Sequence, residues 1–130
     1  MNTLQNALVY AIKESMGFDL KQDSTPLKSA FSSKISLEDK TFIIAINEAL
    51  LLQFAKDFLD SSEPSNDTLI DIAKEIANLI LGKAKVLFEE NGTILKLGIP
   101  EFIGWEYISN YKSVFSYTHN DMKICIYEMA

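Results

Sequence analysis

Apolar and polar residues sort most cleanly between Asp67 and Asn91. At about 100° per residue, Ile72, Ala73, Ile76, Ile80, Ala84 and Leu87 fall on one side of a helix. Asp71, Glu75, Asn78 and Gly82 fall within an arc of roughly 60° on the other side. Lys74 and Lys85 lie on one shoulder of that arc, Leu79 and Val86 on the other. This predicts one long amphipathic helix with a core-facing stripe and a narrow polar face. Asp67 or Thr68 would cap its start, and Gly92 in the left-handed conformation would end it. Lys83 interrupts the edge of the stripe, so it must snorkel outward or lie where the core thins. A competing reading makes Val86-Leu87-Phe88 a strand and Asn91-Gly92 a hairpin turn. The i, i+4, i+7 spacing of Ile80, Ala84 and Leu87 favours the helix.

The rest of the chain divides by the same criterion. Leu4, Leu8, Ala11, Ile12 and Met16 predict a first helix over residues 2–16, with Gly17 as its stop. Phe18 to Pro26 is polar and reads as a connector. From Leu27 the period shortens. A Ser-rich run to Ile35, a turn over 36–40 and the apolar run Thr41–Ile46 predict a hairpin. The second strand should be largely buried, and the Ser-rich first strand should face solvent. Asn47 is placed to cap a second helix over Glu48–Leu59, with Leu51, Leu52, Ala55, Phe58 and Leu59 apolar. Thr93–Ile99 reads as a strand that Pro100 ends. Phe102, Trp105, Tyr107 and Tyr111 predict an aromatic cluster packed on the body of the domain. Ser113–Tyr117 and Met122–Glu128 alternate around Thr118–Asp121 and predict a closing hairpin. His119 would be exposed in that turn and Cys125 a small core residue. The expected fold class is α/β of the α+β type: long helices on a mixed, mainly antiparallel sheet.

Composition narrows the function classes. The 130 residues fit a single domain with a real core. A formal net charge of −6 argues against nucleic acid and against an anionic membrane surface as partner. One cysteine and one histidine offer neither an internal disulfide nor a Cys/His metal cluster. No basic region precedes an apolar run at the N-terminus, and no stretch reaches ~18 consecutive apolar residues. A cytoplasmic protein is the expectation.

The polar face of the long helix carries the candidate chemistry. A solvated helix face ordinarily holds Lys, Glu and Gln. This one holds Asn78 and Gly82, both poor helix formers, and Gly costs about 1 kcal/mol against Ala. Set beside Glu75, they describe a face shaped for approach. Gly82 admits a neighbouring backbone, while Glu75 and Asn78 present a carboxylate and an amide. A plainer reading stands beside it, since a Glu-x-x-Asn arises by chance on many helices and a mid-helix glycine commonly serves packing.

Asp71-x-x-x-Glu75-x-x-Asn78-x-x-x-Gly82 resembles the signature of the CheC, CheX and FliY phosphatases of bacterial chemotaxis. The run EIANLILGKAK from Glu75 to Lys85 carries that likeness. Ile99-Pro100-Glu101-Phe102-Ile103-Gly104 is similar to the strand end, proline and glycine that follow the helix in this family. The first hairpin lacks the glycines that often mark it. The Glu48–Leu59 helix lacks a second E-x-x-N, so the chain resembles the one-site CheX type rather than two-site CheC. The resemblance implies hydrolysis of the aspartyl phosphate on a CheY-type response regulator. Asn78 would orient the attacking water and Glu75 would pair with a lysine of the partner. Asp71 would add a peripheral contact, and Gly82 would admit the partner's backbone. Magnesium would belong to the partner regulator, with no cofactor in this chain. The resemblance also implies a homodimer joined through its sheets. The alternative function is a non-catalytic adaptor that docks a response regulator or a flagellar switch protein, and an unrelated binding module stands third.

Overall fold

A computed structural model describes residues 3–27 and 30–130. Lys28 and Ser29 of the expected first strand, and Asn2 of the first helix, lie outside the described residues. The elements run α1 (Thr3–Met16), β1 (Lys21–Asp23), β2 (Phe31–Leu37), β3 (Lys40–Ile46), α2 (Glu48–Leu59), α3 (Asn66–Glu90), β4 (Glu101–Gly104), β5 (Tyr111–His119) and β6 (Met122–Met129). Three helices pack on one six-stranded sheet of order β1-β5-β6-β3-β2-β4. The sheet is mainly antiparallel as expected, and every pairing among the described residues is antiparallel.

Strand periodicity divides the core between the two faces of the sheet. Phe42, Ile44 and Ile46 of β3 join Met122, Ile124 and Ile126 of β6 in the core under the helices. Ile43, Ala45, Cys125 and Tyr127 turn the other way and pack with Ala30, Ile108 and Leu27. Burial on both faces explains why Phe42–Ile46 reads as an unbroken apolar run. Cys125 is fully buried, as expected, with its sulfur 3.0 Å from Ser116 Oγ and 3.2 Å from the Leu27 N–H that donates to it.

β2 departs from expectation. Ser32 and Ser33 are buried at 2% and 0% exposure rather than solvent-facing. β2 is an interior strand, paired on both edges with β3 and β4, and α3 packs across it. Ser33 has the parity of Phe31 and Ile35, which face the helices. A small residue there lets helix and strand lie close, and its hydroxyl has no hydrogen-bond partner among the described residues.

Long-range pairing also decides the segments read as loops. Lys21–Asp23, expected to be connector, forms edge strand β1 against β5. The Lys123 ammonium anchors it at 2.5 Å from the Asp23 carboxylate, a bond that holds this carboxyl below its usual range. The expected strand over 93–99 shrinks to one bridge, Leu37 with Leu97. Pro100 has no N–H to continue the ladder, and pairing with β2 resumes beyond it as β4, across a register shift at Ser32/Ser33. His119 is half-buried rather than exposed in a turn. It closes β5, stacks on Phe18 with centroids 4.5 Å apart, and its Nδ1 lies 3.0 Å from the Asp19 carbonyl oxygen. Trp105 packs edge-on against Phe31 and Phe102, Phe102 lies tilted on Phe31, and Tyr111 meets Tyr127 edge-on. The expected packed cluster forms only in part: Tyr107 stands exposed, and Trp105 and Tyr111 keep one side open to solvent. On α2, Leu51 and Ala55 are buried as expected, whereas Leu52, Phe58 and Leu59 are exposed.

Asn47 joins two parts of the fold. Its Oδ1 accepts from Leu50 N at 3.2 Å, capping α2 as expected, and from Lys123 N at 3.0 Å. Its Nδ2 donates to the Asp121 carbonyl at 2.8 Å. One side chain thus fastens the start of α2 to the β5–β6 turn. Asn47→Ala should lower unfolding free energy by about 1–2 kcal/mol, read as a lower urea midpoint at unchanged slope.

Tyr127 gives the fold an alkaline limit. Its hydroxyl donates to the Leu27 carbonyl at 2.8 Å, and burial pushes the phenol up to about 12. The unfolded chain releases this proton near pH 10. The contribution is therefore complete below pH 10 and is lost as pH rises from 10 to 12. In denaturant titrations across that range, Tyr127→Phe should show a shallower loss of stability than the unsubstituted protein.

Candidate functional site

α3 spans 25 residues without a break, so the competing strand at Val86–Phe88 is not formed. Its N-cap is Ser65, whose Oγ accepts from Thr68 N at 3.2 Å. Asp67 and Thr68, the expected caps, lie inside the first turn. The run Ser65-Asn66-Asp67-Thr68 offers four cap-forming side chains in succession, so composition alone could not choose among them. The helix ends at Asn91, with Gly92 left-handed at φ 87° as expected.

The two sides of α3 meet different surroundings. Ile72, Ala73, Ile76, Ala77, Ile80, Leu81 and Ala84 are buried at 4% exposure or less. Lys83, at the edge of this stripe, reaches outward over the Tyr10 ring of α1, 4.0 Å from its centroid. Asp71, Glu75 and Asn78 are exposed on the opposite side, with Gly82 half-exposed beside them. The structure therefore brings all four predicted site residues onto one face. Leu79 and Val86, on one shoulder, are also exposed.

Glu75 and Asn78 have no hydrogen-bond or ion-pair partner among the described residues. Asn47 and Asn91, by contrast, both use their amides within the fold, Asn91 donating to the Leu87 carbonyl at 3.3 Å. Asp71 meets Lys74 one turn along at 3.8 Å, an exposed pair of little stabilising value. The strip thus presents an unpaired carboxylate and a neutral amide one turn apart. A carboxylate can pair with a cationic group, and an amide can at once donate to and accept from a water or an oxyanion. Gly82 adds room, because a Cβ built there meets nothing within 4 Å.

A shallow groove of about 450 Å³ runs beside the strip, lined by Asp71, Lys74, Glu75, Asn78 and the segment Gly98-Ile99-Pro100. This second wall was not assigned to the site from sequence. Contacts far along the chain place it, with Gly98 N donating to the Ser36 carbonyl at 2.9 Å. Pro100 was the available signal, since it stops the ladder and frees Ile99 from regular pairing. Among the described residues, no group of three or more His, Cys, Asp or Glu side chains is placed to hold a metal ion, and no helix is long and apolar enough to cross a membrane.

Comparison with known proteins places this geometry in a family. The profile described as chemotaxis phosphatase CheX matches residues 32–115, well over half of the chain, and spans the helix that carries the strip. The chain belongs to the CheX family of chemotaxis phosphatases. Among solved structures, CheX of Vibrio vulnificus is 18% identical and superimposes with a TM-score of 0.84, covering 99% of this chain and 94% of that one. A CheC-like superfamily protein from Shewanella sp. PV-4 is also 18% identical, with a TM-score of 0.76 over 99% and 96% of the two chains. CheX of Borrelia burgdorferi, solved in complex with CheY, BeF3 and Mg2+, is 16% identical, with a TM-score of 0.73 over 98% and 96%. At these identities the structural likeness establishes the α+β fold. Comparison with curated proteins gave no match.

Gly82 separates folding from docking. Its φ is not left-handed and its missing Cβ has open space, so the fold itself gains nothing from glycine there. Gly82→Ala should raise unfolding free energy by up to about 1 kcal/mol, measured by urea denaturation.

Proposed function

We propose that this protein hydrolyses the aspartyl phosphate of a CheY-type response regulator. The observation that carries the reading is the placement of Glu75 and Asn78, exposed together on a rigid helix and without a partner among the described residues. In this reading α3 lies across the regulator's active site. Glu75 pairs with a lysine there and fixes the depth and direction of approach. Asn78 enters far enough for its amide to hold a water in line with the phosphorus. The water oxygen bonds to phosphorus as the bond to the aspartyl oxygen breaks, giving inorganic phosphate and a free carboxylate. Such a reaction asks little covalent chemistry of the catalyst and depends on positioning and charge. Magnesium, which neutralises charge on the phosphoryl group, belongs to the regulator. Asp71 gives a peripheral contact, and Gly82 lets the partner's backbone come close to α3.

The family supports this reading, because it is the family of chemotaxis phosphatases. The Borrelia burgdorferi relative, of the same fold, has been solved with CheY, BeF3 and Mg2+. The test follows decay of a cognate CheY-type regulator phosphorylated with acetyl phosphate. The protein should accelerate decay, and Asn78→Ala should reduce that acceleration on the order of 100-fold while binding persists. Binding with no acceleration by the unsubstituted protein would leave an adaptor, and full activity in Asn78→Ala would remove the amide from the mechanism.

A further inference from the structure

The wall facing the Glu75–Asn78 strip carries an apolar residue in an unusual position. Ile99 is 89% exposed, the highest value among the large apolar side chains of the described residues. It is not on a loose loop. Gly98 N donates to the Ser36 carbonyl at 2.9 Å and Glu38 N to the Lys96 carbonyl at 2.8 Å. The Glu38 carboxylate accepts from Lys96 N in addition. The backbone lies so near β2 that a Cβ on Gly98 would fall 2.2 Å from Ser36 Oγ. Pro100 then fixes the next φ. A large aliphatic side chain is thus held out in water on an anchored backbone.

Such a side chain has little to gain in its own fold and much to gain from a partner. Covering it removes apolar surface from water, and the anchored backbone leaves little ordering cost to offset that gain. Across the polar strip, Leu79 and Val86 are 37% and 45% exposed. Glu75 and Asn78 are therefore bracketed by apolar surface on both sides. A partner seated on both would exclude water from the charged contact between them, where electrostatic interactions strengthen.

We propose that Ile99 is the apolar anchor that seats the receiver domain of the response regulator against the Glu75–Asn78 strip. The inference rests on the functional reading above, since Ile99 lines the same groove as that strip. Its role is in binding and in the choice of regulator. It touches no reacting atom, so its loss should appear in KM and leave kcat alone.

The experiment measures steady-state dephosphorylation of a cognate CheY-type regulator charged with acetyl phosphate, and binding to the same regulator loaded with beryllofluoride and Mg2+. Ile99→Ala should raise KM and the dissociation constant by about 10-fold, and Ile99→Asp by more, with kcat within twofold. Thermal melting should be unchanged, because Ile99 is exposed. Ile94→Asp is the control, since Ile94 is 82% exposed but does not line the groove, and it should leave both constants unchanged. Unchanged KM and affinity in both Ile99 variants, or a fall in kcat alone, would overturn the anchor while leaving the phosphatase reading intact. Binding without acceleration, lost in Ile99→Asp, would support the anchor and overturn the phosphatase reading. Neither binding nor acceleration by the unsubstituted protein would overturn both.

Discussion

Burial of one side of α3 is the constraint on which the molecule depends. Seven residues of that helix, from Ile72 to Ala84, are closed from water against β2 and the neighbouring helices. Three of them are alanines, and opposite them β2 carries Ser33 on the same face. Small residues on helix and strand together permit a close approach that Leu or Ile would prevent. A 25-residue helix, roughly 37 Å long, is thereby held over most of its length. The outer face inherits that rigidity, so Glu75 and Asn78 stand at fixed separation although no side chain among the described residues binds them.

This division of labour explains what the sequence made legible. The apolar stripe and the polar arc follow from a period of 3.6 residues, which needs no knowledge of the partner element. Asn78 and Gly82 stood out because they break the ordinary composition of a solvated helix face, and helical spacing sets Glu75 beside them. Glu48–Leu59 was readable because Asn47 caps it locally, and the closing hairpin because β5 and β6 alternate around a short turn. Element types that rest on local spacing were recovered, including the helical course of Val86–Phe88.

What escaped depends on contacts between distant residues. Nothing in Lys21-Gln22-Asp23 signals a strand until β5 offers an edge and Lys123 a charge. Ser32 and Ser33 look solvent-facing by type, but β2 lies inside the sheet between β3 and β4 with α3 packed across it, an arrangement set by residues far along the chain. The segment over 93–99 has strand-like composition, yet Pro100 interrupts its ladder and moves the regular pairing beyond itself. The Gly98–Pro100 wall of the groove shares that cause. Its place is set by Ser36 and Glu38, some sixty residues earlier in the chain, so spacing near α3 could not reveal it. The start of α3 shows a smaller version of the same limit, where four adjacent cap-forming residues compete and Ser65 prevails.

The chain's one sulfhydryl group is enclosed between Ser116, Leu27 and the sheet, and burial raises its thiol above the ordinary range. A buried thiol of this kind is chemically quiet, and with Cys125 the sole cysteine the outer surface of the molecule is free of reactive sulfur. A cysteine introduced anywhere on the exposed face of α3 would then be the one group open to maleimide or nitroxide reagents. The native chain is, in effect, a background on which a fluorophore or spin label can be set at a chosen position and made to report distances to whatever settles there.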